Sequence, residues 1–308
     1  MQLKSNNTFI NFIFYGNYFY GICTLALCME ASLQQHLPLN SFLFYLLVFS
    51  STIMYYTKAY MTDTSVNTIN KRTQWYNQNR KTVKVSQAIF ISITLGALLY
   101  SICINYNHLL HFNTTNWLLI LIFPLVAGLY YGFNSRFFGK YNLRSKGFLK
   151  PFIIGFTWAG FVTVYPAIYY CMEKGINFEP NKLTVFLFLK NSLFITILCI
   201  MFDIKDYASD FNHRINTFVV KAGLRKTIFY IIIPLTILGL VTFFIFVTFE
   251  HFHSIRIFIN SIPFILLLFV GYSLRLRRTT LYYLVVVDGM MLIKALCGIS
   301  AMLLNYSL

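Results

Sequence analysis

Three aspartates within eight positions, Asp203-Ile-Lys-Asp206-Tyr-Ala-Ser-Asp210, are the residues whose type and spacing most directly imply chemistry in this chain. Only nine acidic residues occur among its 308, so a third of them in so short a stretch asks for a cause. At about 100° per residue, the three fall within about 60° of one another on a helix. Like charges so placed repel unless a cation joins them. Hard cations such as Mg²⁺ prefer carboxylate oxygen and complete their shells with water and substrate phosphates. A site for a metal ion and a phosphate is the functional expectation, and a solvated acidic helix end is the structural alternative.

The elements that must position these residues follow from composition. The chain is 57% hydrophobic and 11% charged, against roughly a quarter charged in an ordinary soluble domain. Runs long enough to cross a bilayer, roughly 20 apolar residues each, can be read nine times. They cover about 9–30, 40–61, 85–106, 115–134, 149–172, 183–203, 227–249, 255–274 and 280–304. The expectation is an all-α integral membrane protein, a nine-transmembrane-helix bundle in one domain spanning 1–308, with the first run retained as a helix rather than cleaved as a signal.

Orientation follows from Lys and Arg, which stay on the cytoplasmic side. The even-numbered connections hold six, five, five and three basic residues, and the odd-numbered ones zero, zero, two and one. That alternation places the N-terminus and the Asp203 to Asp210 stretch at the cytoplasmic face of a multi-pass protein of the cell (inner) membrane. Topology therefore accounts for the formal charge of +16, and no nucleic-acid binding is expected, because the basic residues lie between apolar runs rather than on a polar face. The six cysteines fall in or beside apolar runs without metal-ligand spacing, which reads as buried small residues.

The stretch 203–223, DIKDYASDFNHRINTFVVKAG, resembles the second aspartate-rich motif of the UbiA superfamily of intramembrane prenyltransferases, commonly DxxDxxxDxxxGxxTLPVxxG. Asp203, Asp206, Asp210, Thr217, Val220 and Gly223 occupy matching places. Arg214 stands where Gly is usual, and Phe218 and Val219 replace Leu and Pro. The family's first motif, NDxxDxxxD followed by RT, aligns on Arg72 and Thr73 as a degenerate copy. Ala59 and Tyr60 take the places of Asn and the first Asp, Asp63 keeps the second, and Asn67 replaces the third.

The resemblance implies a UbiA-like fold and Mg²⁺-dependent transfer of a prenyl group from an isoprenoid diphosphate to an acceptor that the sequence does not identify. Asp203, Asp206, Asp210 and Asp63 are the implied metal ligands and catalytic residues. Asn67, Arg72, Tyr131, Lys140, Arg144 and Lys205 are the implied substrate-binding residues, in a bundle embedded in the lipid bilayer. A terpene cyclase that closes the prenyl cation on itself, or a non-catalytic isoprenoid-binding protein, remains open. The loss of charge in the first motif motivates the second of these.

Asp288 lies deep in the ninth span and Lys190 within the sixth, with snorkelling toward an interface as the alternative for Lys190 and for Lys294. Each such charge costs roughly 2.5 to 3.5 kcal/mol at mid-membrane and so should face the bundle interior, either as a polar lining beneath the metal site or in a buried structural pair. His251 and His253 form an H-x-H without further ligands and read as loop residues. His213 adjoins the motif, as either a phosphate contact or a surface residue. The 19% aromatic content suits a cation-shielding tunnel and equally an ordinary membrane interior.

Overall fold

The computed structural model describes residues 8–61, 71–131, 147–212, 214–250 and 253–304. Asp63, Asn67, Lys140, Arg144, His213 and His251 lie outside the described residues, as does the side chain of Tyr131. Every regular element within them is helical, as expected where no water is present to satisfy open backbone groups.

Helices α1 (Thr8–Tyr15) and α2 (Tyr18–Gln34) meet at a bend of 60°. The first expected span is therefore broken rather than straight. Asn17 sits at the break with φ of 67°, a left-handed conformation that asparagine tolerates better than most residues. Its side chain is fully used there. The amide donates to Thr57 Oγ1 at 3.1 Å and to the Tyr76 hydroxyl at 2.9 Å, while its oxygen accepts from Arg72.

Helices α3 (Phe42–Met61), α4 (Lys71–Gln78), α5 (Arg80–Ile104), α6 (Tyr106–Leu110) and α7 (Thr114–Tyr131) follow. The second half is built from α8 (Lys150–Lys174), α9 (Lys182–Asn212), α10 (Phe218–Ala222), α11 (Leu224–Thr248), α12 (Ser254–Ser273) and α13 (Thr280–Leu303). Helices α5, α8, α9, α11, α12 and α13 are long and apolar enough to cross a membrane, and the bent α1–α2 pair makes a seventh crossing if it is read as one span. Helices α3 and α7 cover the two remaining stretches expected from sequence. Helix α9 runs past its expected end near 203 through Asn212. Hydropathy marks where lipid ends, not where helical hydrogen bonding ends, so the three aspartates continue the same helix.

Helix α9 is central, with Phe194, Ile197, Ile200 and Met201 fully buried. Helix α8 packs along it, α3 along α5, and α2 along α13. At Gly155 the α8–α9 approach leaves no space for a side chain, because a Cβ there would run into Thr196 and the backbone of Ser192. Such close backbone approach at small residues is the usual way membrane helices associate. The outer surface shows Val85, Leu95, Leu99, Leu238 and Phe269. That belt suits lipid and would be an aggregation liability in water. Three single π-helical turns, Gly160–Val164, Ile228–Ile232 and Tyr283–Val287, interrupt α8, α11 and α13. Turns of this kind recur at functional sites.

Candidate functional site

Helices α2, α3, α7, α8, α9 and α13 surround a cavity of about 460 Å³. One end carries Arg72, Lys150, Lys205 and Asp206, and the rest of the wall is mostly aromatic and aliphatic. Its length follows from two lining residues on α8. Lys150 and Tyr165 are fifteen positions apart, about 22 Å at 1.5 Å per residue. The space is long, charged at one end and apolar along its depth.

Lys150 opens α8 at the charged end and donates to Asp203 Oδ1 at 2.7 Å. Asp203 is completely buried, so this ion pair fixes the start of α8 against the last membrane turn of α9. Lys205 lies 3.3 Å from the carboxylate of Asp206, and both side chains line the cavity. On the other side, Arg72 is buried and donates to the Tyr60 hydroxyl at 2.8 Å and to the Tyr15 carbonyl at 3.2 Å. Its guanidinium also lies 4.1 Å from the centre of the Tyr60 ring. Tyr60, in the place of the first motif's leading aspartate, thus holds the arginine instead of offering a charge to a metal.

The three aspartates of the motif share one helix but not one environment. Asp206 is 40% exposed at its side chain and lines the cavity, whereas Asp203 and Asp210 are buried behind that wall. Asp203 Oδ2 and Asp210 Oδ2 have no hydrogen-bond partner among the described residues. Burial, with the negative charges of Asp203 and Asp206 nearby, pushes the Asp210 carboxyl up to about 6 against the opposing pull of Lys150. Among the described residues no three acidic, histidine or cysteine side chains converge as a metal cluster. The shared point of three carboxylates expected from helical geometry is therefore absent, because Asp203 is turned onto Lys150. Mg²⁺ requires only one or two protein carboxylates when phosphate and water supply the rest. Asp206 at the cavity wall is one such carboxylate, and the unsatisfied oxygens of Asp203 and Asp210 lie buried behind it rather than at the same point.

The backbone is similar to a solved structure of digeranylgeranylglyceryl phosphate synthase in membranes, over 96% of this chain and 99% of that one, with a TM-score of 0.57 and 16% identity. The chain has the UbiA-like fold. No family model and no curated protein sequence matches it.

In this UbiA-like bundle the other motif residues have local structural work. Thr217 caps α10 by accepting from the Val220 amide at 3.3 Å, and Gly223 has φ of 82°. Arg214, in the usual place of Gly, has φ of 56°, which explains why glycine suits that position. Of the residues implied to bind substrate, Arg72 and Lys205 reach the cavity. Tyr131 ends α7, and its neighbour Tyr130 lines the cavity.

Lys190 does not join the site. It donates to Gln34 at 3.0 Å and lies 3.9 Å from Glu30, whose other oxygen accepts from Lys294 at 2.6 Å. These groups form a buried network tying α2, α9 and α13. His253 is exposed.

In the sequence Lys150 is one of the basic residues of the connection after the fourth run, and nothing in its spacing signals the pairing with Asp203. Tyr20, Tyr56 and Trp158 are likewise unmarked as cavity residues. Their spacing on three different helices carries no signal until the helices are packed.

Proposed function

We propose that this chain is a membrane prenyltransferase with nine crossings and a cytoplasmic N-terminus, which transfers an isoprenoid group from its diphosphate to an acceptor. The observation that supports this best is the cavity itself. Its charged end offers Arg72, Lys150 and Lys205 to a diphosphate, and its depth of about 22 Å offers apolar walls to a tail. Guanidinium and ammonium groups make charge-assisted hydrogen bonds to phosphate oxygen. Asp203, Asp206 and Asp210, joined by Asp63 from the first motif, are the residues proposed to hold Mg²⁺. The ion would neutralise charge on the leaving diphosphate.

The remaining steps belong to the chain's own residues. The three cations stabilise the charge that develops on diphosphate as its bond to the prenyl carbon lengthens. Trp158, Tyr56 and Tyr20 present aromatic rings to the cavity, and such rings attract a cation by roughly 2 kcal/mol or more when it is desolvated. The apolar walls keep water from the cation until an acceptor reaches it.

The test uses the purified protein in vesicles with geranyl, farnesyl or geranylgeranyl diphosphate, each with Mg²⁺, and with 4-hydroxybenzoate or geranylgeranylglyceryl phosphate as acceptor. Diphosphate release coupled to a prenylated acceptor is the expected result. Prenyl products made without an acceptor would indicate a cyclase. A second reading, binding without turnover, is favoured by Tyr60 holding Arg72 where a metal ligand stood in the motif. Thermal protection by a prenyl diphosphate with no release of diphosphate would establish that reading instead.

A further inference from the structure

Asp288 is the charged residue of the cavity for which the reading above has no use. It lines the wall formed by α2 and α13 and is 4% exposed. Its Oδ2 accepts from the Tyr20 hydroxyl at 2.6 Å, and its Oδ1 makes no hydrogen bond or ion pair among the described residues. The Tyr20 ring stacks on Tyr56 at 4.7 Å with an interplanar angle of 8°, and the Tyr56 hydroxyl accepts from Trp158 Nε1 at 2.6 Å. Three side chains from α2, α3 and α8 thus fix the carboxylate from one side. The backbone contributes too. Asp288 follows the π-helical turn Tyr283–Val287, and its amide donates to the Tyr283 carbonyl at 3.0 Å, five residues back. One added residue rotates a helix by about 100°, so this turn decides that position 288 meets the cavity. Its depth is eight residues from the start of α13 at Thr280, about 12 Å along the helix. A carboxylate kept there costs roughly 2.5 to 3.5 kcal/mol on insertion scales, yet no lysine or arginine forms a salt bridge with it among the described residues.

We propose that Asp288 is the proton acceptor of the transfer reaction, an assignment that rests on the prenyltransferase reading. The bond between the prenyl carbon and the diphosphate oxygen breaks, and its electron pair leaves with diphosphate at the charged rim. The acceptor's hydroxyl oxygen or aromatic carbon bonds to the prenyl carbon. The proton it sheds passes to Asp288 Oδ1, which becomes the neutral acid. Tyr20 is a positioning residue that holds the other carboxylate oxygen so that Oδ1 stays directed to the cavity. The acceptor class is therefore one that must lose a proton on prenylation, a hydroxyl or an electron-rich aromatic ring, and it enters along the α2–α13 wall.

The experiment compares wild type, Asp288→Asn and Tyr20→Phe in vesicles with radiolabelled geranylgeranyl diphosphate and whichever of 4-hydroxybenzoate or geranylgeranylglyceryl phosphate the wild type prenylates. Diphosphate release and prenylated acceptor are measured together. Losing a general base costs at least about 100-fold in transfer. In Asp288→Asn, transfer should fall by that factor while diphosphate release falls far less, with label appearing as prenyl alcohol. Tyr20→Phe should lower the ratio of transfer to release to an intermediate value. Equal transfer by Asp288→Asn and wild type would overturn the role of Asp288 and leave the prenyltransferase reading intact. If Asp288→Asn is not thermally protected by geranylgeranyl diphosphate, the decision passes to Tyr20→Phe, where an unchanged ratio overturns the assignment. A wild type that releases no diphosphate, or that prenylates neither acceptor, removes the prenyltransferase reading and this assignment with it.

Discussion

Replacing Lys150 with methionine leaves Asp203 buried without its cation. Asp203 is wholly enclosed and the Lys150 side chain is 24% exposed, so water entering from the cavity replaces only part of the 2.7 Å contact. Removing one partner of a buried pair costs about 3 to 5 kcal/mol. Because Lys150 faces the cavity, some water can follow it in, which places the loss near 3 kcal/mol, or roughly a hundredfold in the folded ratio. Asp203→Asn leaves an uncharged amide beside the lysine and should cost less. Methionine and asparagine together leave no orphan charge, so the double variant should be more stable than Lys150→Met alone, with a coupling energy of about 2 kcal/mol. Unfolding of the purified variants by denaturing detergent, followed by far-UV circular dichroism, measures all four corners of the cycle. A Lys150→Met variant as stable as wild type, or energies that simply add, would refute the argument that this pair clamps the charged end.

Asp206→Asn, at the one motif aspartate that lines the cavity, should abolish Mg²⁺-dependent turnover while leaving the unfolding curve in place; unchanged activity would remove Asp206 from the site. Restoring the first motif with Ala59→Asn, Tyr60→Asp and Asn67→Asp should strengthen the dependence of turnover on Mg²⁺. The same change releases Arg72 from Tyr60, so an unaltered metal titration would mean that the arginine has taken over that corner of the site. Gly155→Val forces a side chain into Thr196 and the Ser192 backbone, and overpacking of this kind costs about 1 to 3 kcal/mol. A neutral result by thermal unfolding would show that α8 and α9 can separate there.

Much of the architecture was legible because a bilayer imposes simple rules. Apolar runs of the required length mark helical segments: six of the nine fall on helices long and apolar enough to cross a membrane, the first falls on the bent α1–α2 pair, and the other two fall on α3 and α7. The bend at Asn17 was not legible, since it depends on Thr57, Tyr76 and Arg72 arriving from other helices. The motif located the charged end of the cavity through Asp206 and Lys205. Helical periodicity treats a helix as isolated, so it placed Asp203 on a common face without seeing that Lys150 turns it away. Asp288 was visible as a costly charge in the last span, but its orientation depends on a π-helical turn and on Tyr20, and neither leaves a mark in the spacing of residues.

The most direct test of the central claim is a density map of the protein in lipid with geranylgeranyl thiolodiphosphate and Mg²⁺. The account predicts the two phosphates at Arg72, Lys150 and Lys205 with the ion on Asp206, and the tail running past Trp158 toward Phe161 and Tyr165. A map with the analogue bound elsewhere, and the space between α7, α8 and α9 filled by side chains or lipid, would contradict it.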